Sequence, residues 1–256
     1  MTMLDADAFA KGGPSGGGGG GSGGTGAVTQ YLSGAANGTA GYDILVEFKG
    51  TGWTAAYQKA FIDSANFLTS VITDDIGGGG SYRGTVIDDL YITAELKAID
   101  GPGGILGQAG PTSVWTSNDL TAMGQMQFDI ADAANYLSKG LWKDIVTHEM
   151  MHVEGFGSLW NYGSHAGLVS GGGYVGANAL AAYQAAGHAG ATFIPVEQDG
   201  GAGTAGSHWD EQALGNELMT GYINNPNYLS TFSVMSLQDL GYKVSYTDPH
   251  DNVTVS

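Results

Sequence analysis

His148-Glu149-Met150-Met151-His152-Val153-Glu154-Gly155, a little past the middle of the 256-residue chain, is the stretch on which the reading turns. Leu141, Trp142, Ile145, Val146 and Met150 recur at helical spacing behind a polar start at Ser138 and Lys139, so the stretch reads as a helix. Residues four apart share a helix face, so His148 and His152 aim their imidazoles at one spot. Two neutral imidazoles in that relation reach a zinc ion at about 2.0–2.1 Å. Glu149 stands one residue round from the first histidine, beside the metal rather than on it, where a general base for a zinc-activated water belongs. Gly155 stops the helix, as a residue free to enter the left-handed region does. The competing reading is a chance pair of histidines on an acidic helix, and a third ligand is what separates the two.

Composition narrows the company this stretch keeps. Forty-two per cent apolar residues, with 13 Tyr, 8 Phe and 5 Trp, suffice for a buried core in one domain or two small ones. The formal charge of -17 comes from 25 acidic against 8 basic residues, and Arg83 is the sole arginine. Nucleic acid and anionic membrane surfaces are excluded as partners, because few cations are there to neutralise phosphates. No cysteine is present, which rules out thiolate zinc ligands, a catalytic thiol and disulfides. No apolar run approaches the roughly 20 residues of a membrane span. The first residues lack a basic region followed by an apolar one, so no ordinary signal peptide is expected.

Outward from the helix, residues 1–26 read as a flexible tail, since residues 11–26 are almost entirely Gly and Ser and cannot offset their ordering entropy by burial. Residues 42–48 (YDILVEF) are a strand ended by Gly50, and residues 54–71 an amphipathic helix. Residues 77–80 are a loop and residues 90–96 (LYITAEL) a second strand. Gly104, Ile105, Leu106, Gly107, Gln108 and Ala109 form a glycine-spaced extended segment halted by Pro111, suited to an edge strand that binds a substrate peptide by strand addition. An ordinary exposed edge or loop is the plain alternative. Residues 124–130 are a further short strand, and residues 130–137 lead into the histidine helix. Beyond Gly155 the chain turns irregular and rich in Gly, Ala and Ser, with a helical run at 177–186 and a capped helix from Ser230 to Gly241. The fold class is α+β. A twisted mixed sheet with two long helices spans 27–155, an irregular subdomain with a terminal helix spans 156–256, and together they make one catalytic domain.

For the third ligand, His165, His188, His208 and His250 remain. A helical glutamate some twenty residues on is not available, because no Glu lies between Glu154 and Glu197, and the position six after His152 is Ser158. The third ligand therefore comes from further along the chain. His148-Glu-x-x-His152-x-x-Gly155-Phe156, a long insertion, His208-Trp, and then Glu217-Leu-Met219-Thr-Gly resemble the metzincin zinc peptidases, and within them the leishmanolysin family and its bacterial relatives. The resemblance covers most of residues 42–245. It implies one catalytic zinc on His148, His152 and His208, with Glu149 as base and Met219 in a methionine turn under the site. Gly155 turns the chain towards the third ligand, and residues 104–109 align the substrate. Tyr222 is a candidate oxyanion donor, although its spacing from Met219 is one residue longer than the family pattern and favours packing. His165 and His188 read as exposed loop or helix-end residues, and His250 as part of a polar tail.

The function implied is a zinc endopeptidase acting on proteins or peptides as a monomer. The resemblance and the composition imply secretion from bacteria without a classical signal peptide, by a C-terminal route with which the acidic, then apolar ending at 251–256 is compatible. The alternative is a catalytically silent, zinc-stabilised extracellular binding module, against which an intact Glu149 argues. Calcium is conceivable on so acidic a surface, but no EF-hand loop is present. Family features that need cysteine, and glycine-rich calcium repeats, do not carry over.

Overall fold

The computed structural model describes residues 2–3, 8–12, 27–34, 41–77, 79–82 and 84–246. Its first half is built on one mixed sheet. In chain order the elements are β1 (Thr2–Met3), β2 (Ala8–Gly12), β3 (Gln30–Leu32), β4 (Ile44–Lys49), α1 (Ala55–Val71), β5 (Gly80–Tyr82), β6 (Thr85–Ile87), β7 (Leu90–Lys97), β8 (Ile105–Val114), β9 (Thr121–Asp129), α2 (Ile130–Ser138) and α3 (Trp142–Glu154). The second half holds a short 3-10 turn (Gly163–His165), β10 (Val169–Ser170), β11 (Gly173–Tyr174), α4 (Ala177–Ala185), β12 (Ile194–Pro195), α5 (Glu211–Leu214), β13 (Tyr222–Ile223) and α6 (Thr231–Leu240). This is an α+β fold. No helix among the described residues is long and apolar enough to cross a membrane.

The sheet runs β13-β2-β8-β9-β7-β4-β3, with β1 also on β8. Strands β4, β7 and β9 are mutually parallel, while β8 is antiparallel to β9 and β3 antiparallel to β4. Alternation explains the core: Ile44, Val46 and Phe48 of β4 and Ile92, Ala94 and Leu96 of β7 point inward and are buried. Helix α1 starts at Thr54, whose side chain accepts the Tyr57 N–H, and buries Ala60, Phe61, Ala65 and Leu68. Each large apolar side chain so buried is worth about 1.5–3 kcal/mol. Phe61 meets Phe128 of β9 and Trp142 of α3 edge-on, and Ser64 Oγ lies 2.8 Å from Thr147 Oγ1. These contacts clamp α3 between the sheet and α1.

Three expectations change here. The segment read as residues 104–110 is a ten-residue strand that continues through Pro111 to Val114. Proline removes one ladder N–H, and the strand absorbs it by shifting register on β9 between Pro111 and Val114 instead of ending. Nor is that strand a free edge, because Ala8–Gly12 and Thr2–Met3, expected in a flexible tail, pair along its outer side. The rest of that tail lies outside the described residues, as do residues 251–256. Finally, the run into the histidine helix is two helices, since Gly140 at φ +75° separates α2 from α3.

Candidate metal centre

Helix α3 sets two histidines and a glutamate one turn apart on a fully buried surface: His148, Glu149 and His152 are all 0% exposed. Gly155 ends the helix in the left-handed region at φ 116°, and its N–H bonds back to His152 O. Two residues on, Gly157 at φ +71° lets the chain press against the segment that carries the next histidine. A Cβ there would fall 2.0 Å from Ser207 O. His208, also fully buried, is thereby brought back over the end of α3.

The three Nε2 atoms form a near-equilateral triangle: His148 to His152 3.0 Å, His152 to His208 3.0 Å, and His148 to His208 3.1 Å. Each Nδ1 faces a backbone carbonyl, Leu218 O at 2.7 Å, Phe156 O at 2.8 Å and Thr204 O at 3.0 Å respectively. A carbonyl only accepts, so each Nδ1 carries the proton and each Nε2 presents a lone pair. Three lone pairs at this separation repel and cannot bond one another. A tetrahedral ion holding its nitrogens at about 2.0–2.1 Å keeps them about 3.3 Å apart, which this triangle nearly matches. Burial pushes the His148 imidazolium down to about 4 and that of His152 well below the ordinary range, so both rings are neutral at neutral pH. The donor set is that of a zinc site with an open fourth position. Among the described residues it is the one group of three or more His, Cys, Asp or Glu side chains whose donor atoms converge within 4.8 Å.

The sequence profile of the leishmanolysin family matches residues 90–250, which include α3, His208 and Met219. The chain belongs to the leishmanolysin family. It is also 30% identical over 159 residues to a leishmanolysin homolog of Crithidia fasciculata, a match covering 57% of this chain and 23% of that protein. The chain thus spans about a quarter of the length of this relative.

In this member of the leishmanolysin family the loops that carry His208 and Met219 are stitched by a buried carboxylate. Glu217 accepts the N–H of Met219, the N–H of Ser230 at 3.0 Å and the hydroxyl of Ser233. Ser233 Oγ in turn accepts Trp209 Nε1–H at 2.7 Å, and the Trp209 N–H donates to Met219 O at 3.0 Å. Met219 is 0% exposed, and its neighbour Leu218 supplies the carbonyl on His148. Burial raises the Glu217 carboxyl to about 7 against the pull of these donors. Trp209 is packed by Phe156, Trp160, Tyr174 and Phe232, which fill the space between the loops and α6. Glu154, the last residue of α3, accepts the Tyr42 hydroxyl at 2.6 Å, while its carbonyl accepts that of Tyr242 at 3.0 Å. Burial raises its carboxyl to about 8.

The remaining candidates fall elsewhere. Gly107 of β8 lies against Glu149, since a Cβ there would be 2.9 Å from Glu149 Oε1. Tyr222 is half-buried in β13. His188 is exposed, stacked on Tyr183 at 3.9 Å. His165, expected exposed, is buried at 7% exposure: Asp119 accepts the Ser164 N–H at 2.9 Å and pins the 3-10 turn under the loop before β9. His250 lies outside the described residues. Sequence reasoning overlooked Glu217 as a brace and Trp209 as a packing post. The only signal was an acidic residue set among apolar ones, with Ser230 and Ser233 following at helix-cap spacing.

Proposed function

We propose that this chain is a zinc-dependent endopeptidase of metzincin type, with His148, His152 and His208 as metal ligands and Glu149 as base. The observation that carries the reading is the triangle of Nε2 lone pairs held by three carbonyl-anchored rings, with a glutamate on the adjacent helix position. When bound, zinc supplies Lewis acidity toward water and toward a carbonyl oxygen. Glu149 takes the proton of the attacking water as that water adds to the scissile carbonyl, then delivers it to the departing nitrogen. Met219 floors the site through the turn that presents Leu218 O to His148, and residues 105–109 align an extended protein or peptide substrate. Extracellular action belongs to the same proposal and rests on the family resemblance.

A catalytically silent zinc module is the other reading, and turnover separates the two. The test is zinc content of the wild type and of His208→Ala, with casein cleavage measured alongside. The expected result is one zinc per chain in the wild type, and loss of both metal and cleavage in the variant. Full zinc and full cleavage in His208→Ala overturn the assignment, and zinc without cleavage in the wild type favours the silent module.

A further inference from the structure

Residues 105–109 of β8, where Gly107 adjoins Glu149, and Tyr222–Ile223 of β13 lie two strands apart in the sheet. A third segment of the same chain lies between them. Strand β2 runs antiparallel to β8, pairing Ala8 with Ala109, Phe9 with Gln108, Ala10 with Gly107 and Lys11 with Ile105. Its other side runs parallel to β13, pairing Lys11 with Tyr222 and Gly12 with Ile223. It also packs along α3.

The pairing at Gly107 locates this strand relative to the chemistry. Gly107 is the residue whose missing Cβ makes room for the Glu149 carboxylate, at 2.9 Å. The backbone of Ala10 is opposite it, one strand spacing of about 4.8 Å away. The register breaks between Ala10 and Lys11, so the strand bends beside the base. An arriving peptide that added to β8 would need the same donors and acceptors that β2 now engages.

Resting on the peptidase reading above, we propose that Ala8–Gly12 occupies the substrate-aligning edge of β8 as a built-in antiparallel strand, and keeps the enzyme latent until it is displaced. The strand belongs to the same chain as β8, so it competes with an arriving peptide as an intramolecular ligand. Latency of this kind raises the KM for peptides and leaves kcat alone, because the strand and the substrate exclude one another.

The test uses the full-length, zinc-loaded chain and its double variant Phe9→Pro/Ala10→Pro, in which adjacent prolines remove an N–H from each side of the strand. Hydrogen exchange is followed at the amides of residues 105–109, with α3 as the control for intact folding. Hydrolysis of a fluorogenic peptide supplies kcat and KM. The expected result is faster exchange at the outward amides of 105–109, with α3 unchanged, and a KM lower by about tenfold or more at similar kcat. A synthetic peptide of residues 5–13 added to the variant restores the protection and competes with substrate. Unchanged exchange at 105–109, or faster exchange with an unchanged KM, overturns the proposal. If neither protein hydrolyses any peptide, the peptidase reading falls, and occupancy of the β8 edge is then decided by exchange and by binding of the synthetic peptide alone.

Discussion

The two halves of the molecule are held together by different means, and the candidate metal centre is where they meet. Between residues 41 and 155, backbone groups mostly satisfy one another, in the parallel run β4-β7-β9 and in α1 and α3. Between 156 and 246, carboxylates take the backbone N–H groups that the loops leave over. Glu217 holds Met219 and Ser230, Asp239 holds Asn178 and Ala179, and Glu197 holds Gln198, Asp199 and Glu211. In the first half the same device serves the connections and element ends, as where Asp129 collects the N–H groups of Ile99, Asp100 and Gly101 and caps Ala131 of α2. A loop can therefore hold a ligand as firmly as a helix does, provided an acid is buried with it. The price is a group whose protonation matters to stability.

The largest effect belongs to the chemistry itself and leaves both halves intact. Glu149→Gln should lower peptide hydrolysis by about 10³-fold while zinc content stays at the wild-type level. Retained turnover in that variant would remove the base from the α3 half and break the comparison at its centre. Next comes the brace of the loop half. Glu217→Ala leaves the Met219 and Ser230 N–H groups and the Ser233 hydroxyl without their acceptor, and should cost about 2–4 kcal/mol in thermal or denaturant unfolding, with weaker zinc retention.

Glu154 joins the halves and supplies a pH signature. Its folded carboxyl titrates at about 8, raised by burial, against an ordinary value of 4.5. Below that ordinary value both folded and unfolded states are protonated and the group contributes no pH dependence. As pH rises towards 8 the unfolded chain ionises while the folded one keeps its proton, so stability falls across this window and levels off above it. In metal-free protein, Glu154→Gln should flatten that fall by about 2–3 kcal/mol relative to wild type, read as melting temperature against pH. Glu217 and Asp89, raised to about 7 and about 6, slope the same way, so the informative quantity is the difference between the two proteins. The smallest effect is the first-half counterpart of the Glu217 brace. Thr54→Ala removes the cap of α1 and should cost about 1 kcal/mol without touching zinc. A loss as large as that of Glu217→Ala would erase the contrast between the halves.

What could be read from the sequence follows the same divide. The spacing of His148, Glu149 and His152, and the strands at 42–48 and 90–96, rest on periods of a few residues, so local pattern suffices. His208 came within reach through the resemblance of its surroundings, because the 56 positions from His152 to His208, rich in glycine, carry no period that points to it. The carboxylate braces were hidden, since Glu217 and Asp239 cap N–H groups 13 and about 60 residues away. The buried state of His165 depends on Asp119, 46 residues earlier. The strand at 8–12 was hidden most completely: a short stretch running into a glycine tract has no alternation, and only its partners in β8 and β13 make it a strand.

The three carbonyls that anchor the histidine rings come from three separate places: the helix exit at Phe156, the loop at Thr204 and the turn at Leu218. An ion on those rings is consequently a thermodynamic probe of all three. Any fluctuation that carries one carbonyl away frees a ring to rotate, so loop opening and metal escape are the same event measured from two sides. By mass action the converse also holds: free metal at a thousand times its dissociation constant holds the loops shut by about 4 kcal/mol. For a half of the molecule with so little repetitive structure, a bound ion would add a cross-link to the apolar packing around Trp209.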